Sequence, residues 1–314
     1  MTIGWPPRGR RVPTPSDPRA SMNRTTANLA ILAAAAIWGL AFVPQQTAMK
    51  SLSPMWFLAL RFALSMVVTA PFLLLEQRRA QAMPSPRAWR MILGVAAVFL
   101  VANILQQLSL LTTSVTNAGF ITSLYILFTP IVAMALTHER PGAAVWPAAG
   151  LGLFGAWLLG GGGGDFVVGD VLLMFGAVLW ATQIVLIGRT MRFVNRPLLL
   201  VMVQYAAIVL GAGSWALLHD PISVEAIRGA WLEILYAGVI SGGIGYTLQA
   251  MAQRHTPASD AAIIFSTEAP FAALFGVWLL GEALSSGQWA GSAAIFAAVV
   301  MVQLWPGKPE TAQA

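Results

Sequence analysis

Apolar runs of about 20 residues alternate with short polar joints along almost the whole chain. The runs lie near 27–47, 54–75, 89–110, 114–136, 143–160, 169–188, 197–218, 229–252, 257–280 and 286–305. At 1.5 Å per residue, each is about the length a helix needs to cross a hydrocarbon core of about 30 Å. The pattern predicts an all-α integral membrane protein with ten transmembrane helices. Breaker residues mark several joints. Pro54 follows Ser53, Pro197 follows Arg196 and Pro257 follows Thr256, each suited to the first helical position. Residues 1–26, rich in Pro and Arg, predict a disordered tail, and 306–314 a short second one.

Charge orients the spans. With the N-terminus in the cytoplasm, the inner face receives Arg8, Arg10, Arg11, Arg19, Arg24, Arg78, Arg79, Arg87, Arg90, Arg140, Arg189, Arg192, Arg196, Arg254 and Lys308. The outer face receives only Lys50 and Arg228, and Arg61 stays in the membrane. This bias is the one expected of cytoplasmic loops, and an odd number of spans would destroy it. Both termini are therefore expected to be cytoplasmic. The Arg10–Arg11 pair has the look of a twin-arginine signal, but no small-residue cleavage site follows the next apolar run, so a tail is the better reading. Met22 is an alternative natural start.

Composition agrees with this class: 57% of residues are hydrophobic, 10% are charged and the mean hydropathy is +0.72. A soluble domain carries about 25% charged residues. The net charge of +6 comes from cations scattered between apolar spans, which fits an anionic leaflet and not nucleic acid. There is no cysteine, which excludes disulfides, thiol catalysis and cysteine metal sites.

The chain also repeats itself. At an offset of 142, Trp38 falls on Trp180, Met49 on Met191, Trp89 on Trp231 and Gln107 on Gln249. At 143, Pro54 falls on Pro197, Phe62 on Tyr205, Ser123 on Ser266, Glu139 on Glu282 and Trp146 on Trp289. A near-constant offset through five spans predicts two five-helix repeats, 27–160 and 161–305. Five is odd, so the second copy enters the membrane from the other side. Inverted repeats of this kind place a substrate site near the midplane, and rocking between mirror-related arrangements gives alternating access.

The sequence resembles an EamA-type member of the drug/metabolite transporter superfamily over residues 27–305. The resemblance rests on AIWGLAF in the first span, LRFALS in the second, NAGFITSLYILFTPIVAMALTHER around the fourth and FSTEAPFAALFGVWLLGEALSSGQWAGSAAI in the second half. Glu282 after an apolar run and a Gly, with Glu268–Ala269–Pro270 before it, is the most specific feature. The first half departs from the pattern: Glu139 follows Thr-His without Leu-Gly, and its proline is Pro130 and not a counterpart of Pro270. The resemblance implies transport of a small organic solute in the cytoplasmic (inner) membrane, often export, with spans 5 and 10 at a peripheral edge of a monomer or homodimer.

Two ionisable residues sit deep in spans, Arg61 in the second and Glu268 in the ninth. Such residues face cavities or partners, not lipid. Arg61 lies about 10 Å below the outer end of its helix and Glu268 about 16 Å from the inner end of its own, so their depths differ by only ~5 Å. They are expected to meet in a central cavity, directly or through water or substrate. One reading is a structural ion pair. The other makes Arg61 an anchor for a carboxylate or phosphate, and Glu268 a partner for an ammonium or a proton carrier. Tyr125 is the repeat mate of Glu268 and Gln204 that of Arg61, so both are candidate lining. Trp38 and Trp180 lie away from the interfacial belt, as core packing or as an aromatic wall. Asn103, Gln107, Gln183 and Tyr246 are further hydrogen-bonding candidates, as is Gln106, although helix–helix contacts use such residues too. Asn117 and Asp260 are repeat mates near the starts of spans 4 and 9. Asp260 suits a first helical turn. Glu139, Glu282 and Asp260 are candidates for gates or loops.

Other chemistries find no support. GGGGGD at 160–165 lacks the following Gly-Lys-[Ser/Thr] of a phosphate loop and reads as a flexible external joint. No cofactor is expected, and His138, His219 and His255 stand singly, without a metal pattern. The carrier is thus passive or coupled to a gradient of protons or another ion, with a small molecule and the lipid bilayer as partners. No enzyme signature appears. A lipid-carrier flippase or an accessory membrane subunit is the alternative function.

Overall fold

The computed structural model describes residues 22–80, 83–137, 141–161, 167–281 and 283–305. The described chain is helical, without strands. Its helices are α1 (Arg24–Thr47), α2 (Pro54–Arg79), α3 (Pro86–Ser109), α4 (Val115–Thr122), α5 (Tyr125–Thr137), α6 (Val145–Leu159), α7 (Val168–Val194) and α8 (Pro197–His219). They continue with α9 (Val224–Gly229), α10 (Trp231–Leu235), a π-helical stretch Tyr236–Tyr246, α11 (Thr247–Ala252), α12 (Ala258–Phe265), α13 (Glu268–Leu280) and α14 (Ser286–Leu304). Among the described residues nine helical stretches are long and apolar enough to cross a membrane, and α6 is a shorter apolar tenth.

Local chemistry sets many of the ends. Asn23, Ser53, Ser85, Ser114 and Ser285 each accept a backbone N–H of the first turn that no helical carbonyl reaches. Pro54, Pro86 and Pro197 open their helices. Pro257 sits one position earlier than expected, at the cap of α12. Helices α2 and α7 outlast their apolar runs because Gln, Glu and Arg propagate a helix well. Asn195, with φ 51°, ends α7.

Hydrogen bonds between ends trace the path of the chain. Gln303 at the end of α14 accepts from Asn28 at the start of α1, so both ends of the bundle share one face, here called the terminal face. Glu76 near the end of α2 accepts from Leu198 N at the start of α8, and Arg189 on α7 donates to Leu136 O of α5 there too. On the opposite face, Ser53 donates to Asp220, and Gln288 of α14 to Leu159 O of α6. Direction alternates through ten passes, and α7 runs antiparallel to its repeat mate α1. The two five-helix repeats are inverted.

The repeats interlock. Helix α2 packs on its mate α8, and α6 on its mate α14. Helix α1 packs on α13 and the π stretch, while α7 packs on α3, α4 and α5. The first span of each half is thus held by the third and fourth spans of the other. At the edge, Gly155 and Gly291 bring α6 and α14 together so closely that a Cβ on Gly155 would stand 2.6 Å from Gly291 O.

Three spans are interrupted where the apolar pattern predicts continuous helices. The fourth breaks at Ser123–Leu124 and the ninth at Ser266–Thr267, repeat-equivalent positions. The Ser123 and Ser266 hydroxyls turn back onto Gly119 O and Ile263 O. The eighth span widens into its π stretch across Ser-Gly-Gly-Ile-Gly. Carbonyls there accept from side chains: Ser65 to Gly238, Trp38 to Ser241, Tyr205 to Gly242 and Thr247 to Gly243. Backbone polar groups in a membrane need such partners. The expected tail 1–26 is shortened by α1, which already begins at Arg24; residues 1–21, 162–166 of the expected joint and the second tail 306–314 lie outside the described residues.

Candidate functional site

Between the repeats lies a narrow cavity in which water-sized occupants have only about 40 Å³ of free space. Helix α1 contributes Trp38, Phe42 and Gln45; α2 contributes Arg61; α3, Gln106; the fourth span, Thr122 and Tyr125. The second repeat contributes Trp180, Gln183 and Ile184 from α7, Ser241, Tyr246 and Gln249 from the eighth span, and Phe265 and Glu268 from the ninth. Helices α6, α8 and α14 line none of it. Among the described residues, Arg61 and Glu268 are the only acidic or basic ones in the lining.

Arg61 is 3% exposed. Its Nη2 donates to Asn103 Oδ1 at 2.8 Å, and Asn103 is itself oriented by its Nδ2 donating to Phe99 O at 2.9 Å. The guanidinium carbon stands 4.6 Å from the Phe62 ring centroid and 5.5 Å from that of Phe57. Cation–π attraction is strongest in such a desolvated place. The Nε has no hydrogen-bond partner.

Glu268 is 5% exposed and is the first residue of α13, immediately after the break, where a half-helix N-terminus favours a carboxylate. Its repeat mate Tyr125 opens α5 after the matching break. Tyr125 lies within interaction range of Glu268, yet neither the Tyr125 hydroxyl nor Glu268 Oε1 has a well-formed hydrogen bond.

The expected direct approach of the two charges does not occur: no ion pair joins Arg61 to Glu268, although both line the cavity. Tyr246 lies within electrostatic reach of both. Its ring is 4.8 Å from those of Trp38 and Phe99. Trp38 also meets Phe265 at 5.3 Å, so the charges are set in an aromatic wall. Each unpaired charge in such a setting is costly, and a complementary partner offsets that cost.

Two amide clusters flank this centre. Trp180 Nε1 donates to Gln106 Oε1 at 2.9 Å, and Gln106 Nε2 to Gln45 Oε1 at 3.3 Å. On the terminal side, Gln183 and Gln249 exchange hydrogen bonds, and Gln183 also donates to Gln204 at 3.4 Å. Gln204 is fully buried behind Gln183 and not in the lining. Asn103 and Gln107 are likewise outside it: Asn103 acts through Arg61, and Gln107 donates to Gln45 O. Asn117 sits half-buried in the first turn of α4, its backbone N–H bonded to Ser114 Oγ. Asp260 pairs with Arg24 at the terminal face. Glu139 and Glu282 lie outside the described residues. The lining residues not singled out from the sequence, Gln45, Gln249, Phe42, Thr122, Ile184, Ser241 and Phe265, are ordinary in apolar spans. Only Gln249, the repeat mate of Gln107, carried a signal.

Among the described residues no group of three or more His, Cys, Asp or Glu is placed to hold a metal. The profile of the EamA-like transporter family matches residues 25–161 and again 167–304. The chain belongs to the EamA-like transporter family. It is similar to an uncharacterized transporter of Archaeoglobus fulgidus, with 28% identity over 285 residues, 90% of this chain and 87% of that one. It is also similar to the uncharacterized transporter YwfM of Bacillus subtilis, with 29% identity over 295 residues, 91% of this chain and 97% of that one. A solved crystal structure covering 90% of this chain and 98% of its own aligns at a TM-score of 0.74 and 19% identity, which shows the shared fold. This EamA-like protein is therefore a multi-pass membrane transporter. Family and relatives both point to transport and not to an enzyme.

Proposed function

We propose that this EamA-like transporter carries a small dipolar organic solute by alternating access, as an exporter or exchanger driven by gradients and not by ATP. An anionic group of the solute meets Arg61. A cationic or hydrogen-donating group meets Glu268 and Tyr125, and the body of the solute rests on Trp38, Trp180 and Tyr246. The observation that carries this reading is the pair of unpaired, opposite charges, one from each repeat, on the wall of one cavity. A purely structural ion pair would have closed on itself. The lysine and arginine distribution supports cytoplasmic termini and residence in the inner membrane. Glu268 is the group suited to carry a coupling proton.

Counterflow in proteoliposomes tests the reading. Preloaded solute should drive uptake of the labelled form, Arg61→Gln should abolish it, and Glu268→Gln should remove any pH-driven component while exchange persists at a weaker solute affinity. Wild-type exchange that survives Arg61→Gln unchanged would refute the role of Arg61.

A further inference from the structure

Two hydrogen bonds at opposite ends of the bundle are the same contact made twice. On the terminal face, Thr256 Oγ1 donates to Asn28 Oδ1 at 2.8 Å. On the opposite face, Thr113 Oγ1 donates to Asp170 Oδ1 at 2.9 Å. Asn28 and Asp170 are 142 residues apart and Thr113 and Thr256 are 143 apart, the offsets of the repeat. In each contact, a hydroxyl from the joint between the third and fourth spans of one repeat reaches the first turns of the first span of the other. All four side chains are buried, at 7% exposure or less. No distance along the sequence requires the two bonds, and both cross between the repeats.

Their reinforcement differs. On the terminal face, Asn28 also donates to Gln303, and Arg24 pairs with Asp260 beside it. On the opposite face, Asp170 Oδ2 accepts from Val167 N, Gly169 N donates to Thr112 Oγ1, and Gln46 Nε2 donates to Thr113 O. Gly169 is needed there, because a Cβ would meet Thr112 Oγ1 at 2.6 Å. Bonds that join first spans to the third–fourth joints of the other repeat must break if those elements separate to open a path from that face to the cavity. Separation at one face leaves the bond at the other intact.

We propose that Thr256–Asn28 and Thr113–Asp170 are a matched pair of latches, one per face, whose relative strength sets which way the transporter faces. The structure has both closed, with the cavity between them. This rests on the alternating-access reading and assigns it specific residues. It predicts opposite effects from equivalent substitutions. Thr256→Val weakens only the terminal-face latch and Thr113→Val only the other.

The chain has no cysteine, so a single reporter, Ile184→Cys on the cavity wall, can be read without background. Labelling by a membrane-impermeant maleimide is measured from each face separately, in right-side-out and inside-out vesicles. Thr256→Val is expected to raise the ratio of terminal-face to opposite-face labelling by roughly fivefold, and Thr113→Val to lower it by roughly tenfold, as neutral and charge-assisted hydrogen bonds differ. Thr→Ser at either position, which keeps the hydroxyl, is expected to restore the unsubstituted ratio. Asp170→Asn, nearly isosteric, is expected to shift the ratio in the same direction as Thr113→Val. Shifts toward the same face, or ratios unchanged in both Thr→Val and Asp170→Asn, would overturn the latches. Because labelling needs no solute, that failure is distinct from failure of counterflow.

Discussion

At the scale of single residues, the informative feature is a charge without an opposite charge. Arg61 is held by one neutral acceptor, Asn103, and by aromatic faces, which position it without neutralising it. Asn103→Leu should therefore cost about 1.5–3 kcal/mol of stability, the usual worth of a hydrogen bond to a charged group, measured by equilibrium unfolding in detergent. Asn103→Asp should behave differently: it gives up the bond to Phe99 O but keeps the acceptor and pairs with the guanidinium, so solute affinity should fall by about tenfold or more. Unchanged affinity in Asn103→Asp would show that Arg61 is not a solute anchor.

Arg61 and Glu268 were legible in the sequence because charge inside an apolar run is rare enough to demand a reason. Their actual neighbours were not. Depth follows from counting residues along a helix, but rotation about its axis and the crossing of helices decide whether two side chains meet. The counting brought the charges within ~5 Å in depth, yet Asn103 and Tyr125 are the neighbours they have. Amides such as Gln45 and Gln249 were hidden for another reason: a buried glutamine serves helix packing and cavity lining with the same chemistry.

At the scale of elements, apolar length located all ten passes, and Pro54 and Pro197 fixed the starts of α2 and α8. The breaks in the fourth and ninth spans were not legible. Residues 119–126 carry Thr122, Ser123 and Tyr125, and 262–269 carry Ser266, Thr267 and Glu268, among apolar neighbours, and nothing in that pattern separates a continuous helix from two half-helices. Yet these breaks put Tyr125 and Glu268 at half-helix N-termini in the cavity. Glycine position also yields a prediction. Gly155→Leu would drive a side chain into Gly291 O and Ile295 N, and should lower the melting temperature, with overpacking costing about 1–3 kcal/mol or more. Gly176→Ala on α7 meets nothing within 4 Å and should be neutral or stabilising by up to about 1 kcal/mol. Equal effects of the two substitutions would refute the packing described for α6 and α14.

At the scale of the whole molecule, duplication was read from a near-constant offset, and inversion from an odd span count per repeat. Interlocking could not be read that way, because self-comparison says which residues correspond but not which copies touch. In the structure each first span leans on the other repeat, so the chamber and both latches exist only between copies. Symmetry is also broken: Arg61 faces the cavity, while its mate Gln204 lies behind the wall.

The most direct measurement is a thermal-shift comparison of the unsubstituted transporter, Arg61→Gln and Glu268→Gln against one stabilising zwitterionic solute, its methyl ester and its N-acetyl derivative. Ligands that bind only the folded state raise its melting temperature. The unsubstituted protein should prefer the zwitterion to both derivatives. Arg61→Gln should lose the preference over the ester alone, and Glu268→Gln the preference over the N-acetyl form alone. Preferences that persist unchanged in both variants would contradict a solute held between these two charges.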